Sequence, residues 1–417
     1  MRHTPQWIVA ITVLLSALAM LTGRAGESPA PRPSTVRPAT IDAVLARAVD
    51  RNVVPGVVAV VADKDHILYT GAFGMMDVAK NKPMQKDAIF RIASMTKPVT
   101  TVAAMMLIEE GKLSLDDPVA KYIPSFKNRP VVASYNPKTG AFTTKAATQE
   151  VRIRHLLSNT SGLAYTFAND EANRIQQKLK KNSDELPLLY EPGSQWTYGA
   201  SARVMGVIIQ KITGKGLDQF FRERIFKALA LEDTDFAVPA DKMNRLATVH
   251  RRRSGKLVEE PNPEKVQWGV AGDGGLNSTA ADYIRFLQMF LNDGKTGAVT
   301  MLRPASIQAM ASNQIGDVIV RQQVTTDPSW SRSFPIGAGR DKFGFGFQIA
   351  TSNKENPNLR APGSYTWVGI FNTHFWVDPQ RGIAAVILMQ VLPFYDEDCI
   401  QLYQDFEAAV GRELQTG

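Results

Sequence analysis

The chain has 417 residues, which is enough for two domains or for one large composite domain. Its net charge is +8, but the basic residues are spread along the chain and form no stripe with interleaved aromatic residues, so nucleic-acid binding is not indicated. The single cysteine, Cys399, excludes an internal disulfide and is expected to be a buried thiol.

The first 25 residues have the pattern of an export signal. Arg2 makes the start basic, residues 7–21 form an uncharged apolar run that is short for crossing a bilayer, and Ala25 completes a small-x-Ala cleavage pattern. We therefore expect a signal peptide over 1–25 and a periplasmic or secreted protein, with a retained membrane anchor as the alternative. Residues 26–39 contain four prolines and predict an extended tether.

Residues 40–417 are predicted to form one domain that begins with a helix and an antiparallel meander. Thr40 is expected to cap an amphipathic helix. Residues 57–62 and 67–69 are predicted to be neighbouring strands joined by a turn, and a third short strand is expected after residues 71–74.

A buried helix is predicted directly after the meander, beginning near Ser94 and Lys97. The apolar run 102–108 is followed by Gly111, which suits a helix C-terminus. Because the ring of Pro98 would clash with a carbonyl group four residues earlier, Ser94 is expected at or before the first helical turn. Ser94 and Lys97 then share one face, and the Ser94 N–H is one of the unpaired donors at the positive end of the helix.

The Ser-x-x-Lys spacing places a nucleophile and a base on one helical turn. A serine hydroxyl becomes a good nucleophile when a base removes its proton, and a lysine can be that base if burial disfavours its charged form. The motif alone is a weak signal, because a capping serine and a solvated lysine would have the same spacing.

Between about 113 and 266 the strand signal thins, and helices are expected after Asp116, over 151–157 and over 203–213. We therefore predict a mostly helical insertion over this segment. The basic triplet 251–253 precedes a Ser-Gly turn, which indicates the solvated tip of a hairpin.

The C-terminal part returns to strands and ends in a helix. The glycine-rich run 269–276 follows no clear strand of a βαβ unit, so dinucleotide binding is not indicated. Thr279 opens a helix through a capping box. Three strands and a last helix are then predicted, over 345–349, 370–377, 384–389 and about 395–414. Strands at both ends predict an α+β fold, in which N- and C-terminal segments form one antiparallel sheet flanked by helices, with an inserted mostly helical domain.

Three further motifs stand in a fixed order around Ser94. They are 154–163, which ends in Asn-Thr-Ser-Gly-Leu, 191–200, a turn that leads to Tyr198, and 363–370, which contains Trp367-Val368-Gly369. With Ser-x-x-Lys, these motifs make residues 40–410 resemble the serine β-lactamase-like family, most closely its class C β-lactamase and family VIII carboxylesterase branch. The resemblance implies a β-lactamase/transpeptidase-like fold and no metal or organic cofactor.

The resemblance also implies roles for individual residues. Ser94 would be the acylated nucleophile and Lys97 its base partner, and Tyr198 would share the proton transfers. The backbone N–H groups of Ser94 and Ile370 would form the oxyanion hole. The third motif would supply the substrate-binding residues Trp367, Val368 and Gly369.

The chain departs from the β-lactamase pattern at three positions. Trp367 replaces the lysine of Lys-Thr-Gly, which engages the substrate carboxylate in β-lactamases, and Ala200 replaces the asparagine two residues after the motif tyrosine. Asn159 stands where many relatives have histidine, at a position expected to be structural. A Trp-x-Gly third motif resembles the esterase branch, and the loss of two polar anchors for a β-lactam argues in the same direction.

We therefore expect an exported serine hydrolase that cleaves ester or amide bonds of small molecules or peptides through an acyl-enzyme on Ser94. The alternatives are a peptidase or amidase on unusual or D-residue peptides, a β-lactamase or D,D-peptidase, and a penicillin-recognising binding protein without turnover. The lack of a Gly-x-Ser-x-Gly motif argues against an α/β-hydrolase. The histidines show no metal-ligand spacing, and only His374 stands close after a motif. The natural substrate, its stereochemistry and the oligomeric state do not follow from the sequence.

Overall fold

The structure is a computed structural model that describes residues 37–266 and 269–415. The signal peptide predicted over 1–25 lies outside the described residues, as does most of the tether predicted over 26–39. None of the helices in the two described ranges has the length and apolar character that crossing a membrane requires.

Nine α-helices occur in the described chain. They are α1 (Pro38–Asp50), α2 (Thr96–Glu109), α3 (Ile153–Leu157), α4 (Asp170–Leu179), α5 (Ser201–Thr213), α6 (Leu217–Phe221), α7 (Ala280–Leu291), α8 (Pro304–Met310) and α9 (Glu397–Gln415). Short 3₁₀ turns lie between them, at Ala93–Met95, Val119–Lys121, Pro124–Phe126, Thr166–Ala168 and Ala240–Arg245, and a π turn follows α6 at Arg222–Phe226.

The strands before α7 are β1 (Gly56–Ala62), β2 (Ile67–Asp77), β3 (Lys82–Pro83), β4 (Phe90–Arg91), β5 (Pro130–Tyr135), β6 (Phe142–Ala146), β7 (Val249–Arg253), β8 (Lys256–Glu260) and β9 (Asn277–Ser278). The later strands are β10 (Lys295–Thr296), β11 (Val299–Thr300), β12 (Lys342–Phe343), β13 (Gln348–Ile349), β14 (Tyr365–Gly369), β15 (Thr373–Asp378), β16 (Ile383–Leu388) and β17 (Val391–Leu392).

An eight-stranded antiparallel sheet forms the centre of the fold, in the order β12-β13-β14-β15-β16-β1-β2-β3. At its middle, β1 pairs with β16 in a register that runs from Val58 opposite Leu388 to Ala62 opposite Ala384. A strand from the first part of the chain therefore lies beside a strand from the last part. This arrangement confirms the predicted α+β fold, in which both ends of the chain build one sheet.

Every residue of β1 and β16 is buried, because each face of the sheet is covered by helices. Side chains alternate between the faces of a strand. Val57 and Val61 of β1 belong to the apolar cluster that they form with side chains of α1 and α9, here called the outer layer. Val58 and Val60 belong to the larger cluster with α2 and α7, here called the cavity side.

Several element boundaries differ from the predictions. α1 begins at Pro38, before the predicted cap Thr40, because proline fits the first turn of a helix. β15 begins only at Thr373, and residues 370–372 form the turn that follows β14. Thr279 caps α7 as predicted, since its hydroxyl accepts a hydrogen bond from the backbone N–H of Asp282 at 3.1 Å.

The segment from about 113 to 266 contains α3 to α6 and also two hairpins, β5–β6 and β7–β8. The first hairpin was not predicted, because β6 is almost wholly exposed and has no apolar alternation. The predicted turn at Ser254-Gly255 joins β7 to β8. Arg252, expected to be solvated, is only 13% exposed because it pairs with Asp396 at 2.8 Å.

Candidate active site

Ser94 lies in the 3₁₀ turn Ala93–Met95, immediately before α2. The position of Pro98 predicted this placement at or before the first helical turn. The preceding residue, Ala93, has a φ of +44°, a left-handed conformation that is uncommon without glycine. The turn is held from two sides. The N–H of Ile92 donates to the carbonyl of Leu276 at 3.0 Å, and the hydroxyl of Tyr283 on α7 donates to the carbonyl of Met95 at 2.9 Å.

The predicted nucleophile has two proton-carrying groups within hydrogen-bond distance. Lys97 Nζ lies 3.0 Å from Ser94 Oγ, and the hydroxyl of Tyr198 lies 2.7 Å from the same oxygen. Lys97 is 4% exposed and Tyr198 is 3% exposed, so bulk water competes little for these contacts. Ser94 and Tyr198 are 104 positions apart in the chain, and the fold brings them into contact. The order of the motifs predicted this pairing.

A backbone carbonyl orients the lysine. Lys97 Nζ donates to the carbonyl oxygen of Asp273 at 2.7 Å. Lys97 Nζ also lies 4.8 Å from the ring centre of Tyr198 and 5.3 Å from the ring centre of Tyr165. With one N–H directed to Asp273, Lys97 Nζ is held facing Ser94 Oγ.

Asp273 is itself fixed by two side chains. Its carboxylate accepts a short hydrogen bond from the hydroxyl of Tyr165 and lies 3.1 Å from Nε of Arg203. Burial, together with the neighbouring carboxylate, holds the pKa of the Tyr165 phenol well above its usual range. Tyr165 therefore remains a hydrogen-bond donor to Asp273 at all physiological pH values.

Tyr165, Arg203 and Asp273 were not predicted to belong to the site. Asp273 lies in the glycine-rich run 269–276, whose pattern does not indicate dinucleotide binding. Tyr165 stands two residues after the motif 154–163. A polar residue within a glycine-rich loop next to a nucleophile motif is the signal that could have indicated Asp273.

The third motif approaches the Ser94 turn through Gly369. A Cβ atom at this position would collide with the carbonyl oxygen of Ile92 and with the hydroxyl of Thr373, so only glycine allows the contact. Ile370, the next residue, lines the same cavity as Ser94. The structure thus places both residues of the predicted oxyanion hole at one site.

Trp367 occupies a different position from the one predicted. Its side chain is 1% exposed, and its ring packs 5.2 Å from the ring of Tyr198 and 5.4 Å from that of Phe343. Neither Trp367 nor Val368 is among the described residues that line the cavity at Ser94. Trp367 therefore supports Tyr198 from behind instead of forming the cavity wall, because its place on β14 directs the indole into the aromatic core.

The cavity in front of Ser94 has a volume of about 250 Å³. Much of its wall is aromatic, from Tyr165, Phe167, Tyr198, Phe371 and Phe394. The described charged residues of the wall are Arg91, Arg203 and Asp273. A cavity of this size, with five aromatic side chains and a few polar groups around the nucleophile, suits a small or medium organic substrate.

The remaining candidate residues lie apart from Ser94. His374 is fully buried and stacks on Tyr403 at 4.3 Å, and burial lowers its pKa to about 3. Cys399 is a buried free thiol, as expected. In the described ranges no group of three or more His, Cys, Asp or Glu residues could hold a metal ion.

Fold and site together define a class: an enzyme of the serine hydrolase type with a β-lactamase/transpeptidase-like fold and a Ser-x-x-Lys nucleophile. The model of the Beta-lactamase family matches residues 41–410. The chain therefore belongs to the Beta-lactamase family.

The relatives include named esterases and acyltransferases. Protein Rv1367c of Mycobacterium tuberculosis is 33% identical over 363 residues, which are 82% of this chain and 88% of the relative. Monacolin J acid methylbutanoyltransferase of Aspergillus terreus is 27% identical, with 89% of this chain and 95% of the relative covered. Esterase EstB of Burkholderia gladioli is also 27% identical, with coverage of 84% and 89%.

The fold is found in solved structures as well. Unliganded simvastatin synthase from Aspergillus terreus superimposes with a TM-score of 0.74 and 25% identity, covering 93% of this chain and all of the synthase. The chain is thus a member of a family of serine hydrolases and acyltransferases with the β-lactamase fold.

Proposed function

We propose that the protein hydrolyses carboxylic esters with small or medium acyl groups through an acyl-enzyme on Ser94. The observation that carries this proposal is the position of Ser94 Oγ, 3.0 Å from Lys97 Nζ and 2.7 Å from the hydroxyl of Tyr198. A serine so placed has a base and a proton relay in contact with it before substrate arrives.

In the acylation half-reaction, Ser94 Oγ attacks the ester carbonyl carbon while its proton passes to Lys97 as the base, directly or through Tyr198. The carbonyl oxygen becomes an oxyanion, which the N–H groups of Ser94 and Ile370 stabilise. The tetrahedral intermediate then collapses. The bond between carbon and the leaving oxygen breaks, and the leaving alkoxide receives the proton through Tyr198.

In the deacylation half-reaction, a water molecule takes the place of the alcohol. Tyr198 and Lys97 accept its proton as its oxygen attacks the acyl carbon, and the bond from carbon to Ser94 Oγ breaks. Ser94 Oγ recovers the proton and the carboxylic acid leaves. The proton carriers are the same in both halves, so no further acid or base is required.

Ester cleavage is favoured over β-lactam or D,D-peptide cleavage by the residues at two positions. Trp367, in place of the third-motif lysine, is buried, and Ala200 in place of asparagine is fully buried at the start of α5. Neither supplies the ammonium or the amide group that would hold a β-lactam. Amide cleavage, including that of unusual or D-residue peptides, requires the same acylation step and remains the alternative within hydrolysis.

Acyl transfer to an alcohol is a second candidate, favoured by the names of relatives such as monacolin J acid methylbutanoyltransferase. The acyl-enzyme is common to both reactions. Hydrolysis and transfer differ only in whether water or an acceptor alcohol attacks it.

The test compares turnover of a short-chain para-nitrophenyl ester and of a chromogenic cephalosporin by purified protein. We expect rapid ester cleavage with almost no cephalosporin opening. Ser94→Ala should lower ester turnover by about 10³-fold or more, since it removes the nucleophile. Ser134→Ala, at an exposed serine on β5, is the matched control and should leave turnover unchanged.

Efficient cephalosporin opening would contradict the preference for esters. Ester turnover that survives Ser94→Ala would contradict the mechanism. Stable acylation of Ser94 by penicillin, seen as a mass increase without product release, would instead support a binding protein. Added short-chain alcohols that divert the acyl group into new esters would support the transferase.

We also propose that the protein is exported, on the pattern of residues 1–25. Cell fractionation with sequencing of the mature N-terminus tests this. A protein found in the cytoplasm with its N-terminal residues intact would contradict it.

A further inference from the structure

Tyr198 lies on a stretch of backbone that belongs to no helix or strand, directly before α5. Its phenol oxygen nevertheless lies 2.7 Å from Ser94 Oγ, a distance that permits proton transfer. Two hydrogen bonds from remote segments hold its backbone. The N–H of Tyr165 donates to its carbonyl at 3.1 Å, and its own N–H donates to Oε1 of Gln323 at 3.2 Å. The position of the catalytic phenol therefore depends on a side chain 125 residues further along the chain.

Gln323 is 5% exposed, and both ends of its amide are used. Oε1 accepts the hydrogen bond from Tyr198, and Nε2 donates to the backbone carbonyl of Arg321 at 2.9 Å. Because the oxygen can only accept and the nitrogen can only donate, a single orientation of the amide forms both bonds. The amide oxygen is thereby held toward the N–H of Tyr198.

The backbone of Gln323 is fixed by an antiparallel bridge to Phe334, here called the Gln323–Phe334 bridge. The N–H of Gln323 donates to the carbonyl of Phe334 at 2.7 Å, and the N–H of Phe334 donates back at 3.1 Å. The ring of Phe334 is 1% exposed and packs edge-to-face on the ring of Tyr198, with the ring centres 5.5 Å apart. One unit therefore holds both the backbone and the ring of Tyr198.

Gln323 lies outside the Ser94 cavity, since it is not among the described residues of the cavity wall. It therefore meets no substrate there, and its influence on the reaction passes through Tyr198. A hydrogen bond weakens steeply as its geometry is lost, and a displacement of about 1 Å in a reacting group costs about 100-fold in rate. A small movement of Tyr198 is thus enough to slow proton transfer from Ser94.

We propose that Gln323 is a positioning residue for Tyr198: its amide fixes the backbone of the catalytic tyrosine so that the phenol stays in contact with Ser94. The proposal rests on the proposed function and deepens it, because it names a residue outside the four motifs on which the proton relay depends. The amide comes from the segment between α8 and β12, which contains none of these motifs.

A positioning role and a stabilising role predict different results. A buried amide that only satisfied the N–H of Tyr198 would stabilise the fold without changing the rate per folded molecule. A positioning residue changes kcat, leaves KM nearly unchanged and loses its effect when the phenol hydroxyl is absent.

The first measurement gives kcat and KM for a short-chain para-nitrophenyl ester. Active sites are titrated by fluorophosphonate labelling of Ser94, so a misfolded fraction does not lower kcat. Gln323→Met removes the amide at similar side-chain volume, and we expect kcat to fall by about 10- to 30-fold with KM changed by less than about twofold. Gln323→Glu retains an acceptor oxygen and should keep kcat within about threefold of the parent chain. A Gln323→Glu variant as slow as Gln323→Met would overturn the role of the acceptor.

Gln348 provides the matched control. It is also a buried glutamine, 3% exposed, and its Nε2 donates to the carbonyl of Ile336 at 2.6 Å and to the carboxylate of Asp341 at 2.7 Å. Gln348→Met should leave kcat unchanged. A similar fall in this variant would show that kcat reports general packing, and would overturn the proposal.

The decisive comparison repeats Gln323→Met in Tyr198→Phe, which has no phenol hydroxyl to position. The rate of fluorophosphonate labelling of Ser94, followed by mass spectrometry, is compared in both backgrounds. We expect Gln323→Met to slow labelling by about 10- to 30-fold in the parent chain and by less than about twofold in Tyr198→Phe. An equal loss in both backgrounds would show an effect that does not pass through Tyr198, and would overturn the proposal.

Gln323→Asn takes the place of Gln323→Met if the latter does not fold. Its amide is one methylene shorter and is expected to lose the bond to Tyr198, so the same results are expected. Unchanged kcat in these variants, with Ser94-dependent turnover by the parent chain, overturns the positioning role and leaves the hydrolase function intact.

Absence of both ester turnover and Ser94 labelling in the parent chain counts against the hydrolase function instead. In that case crystal structures of the variants decide the inference. A Tyr198 hydroxyl that leaves hydrogen-bond distance of Ser94 Oγ in Gln323→Met, but not in Gln348→Met, supports the positioning role. A hydroxyl that does not move overturns it.

Discussion

Two arginines on different sides of the molecule are both largely removed from water but are neutralised differently. In the outer layer, the side chain of Arg360 is 12% exposed, and its Nε and Nη2 donate to the two carboxylate oxygens of Glu407 on α9, each at 2.7 Å. On the cavity side, Arg91 is 4% exposed and donates only to neutral oxygens in the described part of the chain.

The difference is between a buried charge that the fold neutralises with a carboxylate and one that it holds with neutral acceptors. Although burial alone lowers the pKa of Arg360, the Glu407 carboxylate raises it well above its usual value. For Arg91 burial lowers the pKa, and no carboxylate of residues 37–266 and 269–415 opposes this. Arg360 in the outer layer is neutralised by a carboxylate of the same layer, whereas Arg91 on the cavity side donates to neutral oxygens in the described ranges. The following predictions test this contrast.

The largest expected effect is on the stability of the outer layer. Glu407→Gln leaves the buried guanidinium of Arg360 without its counter-charge, and we expect the free energy of unfolding to fall by about 3–5 kcal/mol. Urea denaturation measures it. Glu397→Gln is the control, because Glu397 is 78% exposed and pairs with Arg332 at the surface, where a loss below about 1 kcal/mol is expected. Equal losses in both variants would refute the contrast.

A smaller effect concerns His374, whose two ring nitrogens have no hydrogen-bond partner in the described structure. Burial lowers its pKa to about 3, so the folded protein keeps it neutral while the unfolded chain protonates it below about 6.5. Stability is therefore complete above pH 6.5 and declines as the pH falls, by about 2 kcal/mol at pH 5.

Replacing the imidazole by a ring that cannot titrate should remove this part of the pH dependence. His374→Phe retains the stacking on Tyr403 and should reduce the loss of stability between pH 7 and pH 5 by about 2 kcal/mol. His155, whose pKa burial lowers to about 4, continues to contribute to the slope. Denaturation curves at both pH values measure it, and an unchanged slope in His374→Phe would contradict the assignment.

The smallest effect is expected on the cavity side. Tyr165→Phe removes the hydroxyl that holds the Asp273 carboxylate, and with it the fixed position of the carbonyl that orients Lys97. We expect kcat for ester cleavage to fall by about tenfold with little change in KM. Tyr122→Phe removes a similar bond, from Tyr122 to Asp117 at 2.6 Å, away from the cavity and should leave kcat unchanged. A matching loss there would show a general effect on stability.

The elements of the fold could be predicted where their pattern is local. The cap of α7 at Thr279, the glycine after α2 and the apolar runs of β1 and β16 each depend on neighbouring residues, and all of them are found in the structure. The reciprocal half of the predicted capping box is not formed, because the Asp282 carboxylate accepts from Asp233 and Thr234 instead. The hairpin β5–β6 could not, because its exposed second strand has no apolar alternation to recognise.

The nucleophile and its base follow from the sequence because three residues of helix place Ser94 beside Lys97, and the order of the motifs added Tyr198. Only the tertiary structure decided that Tyr165 and Arg203 hold Asp273, that Trp367 packs behind Tyr198, and that Arg91 meets no carboxylate within the described part of the chain. These outcomes depend on contacts between residues far apart in the chain. Whether a buried charge meets an opposite charge or an open cavity is determined by packing, and no local pattern encodes it.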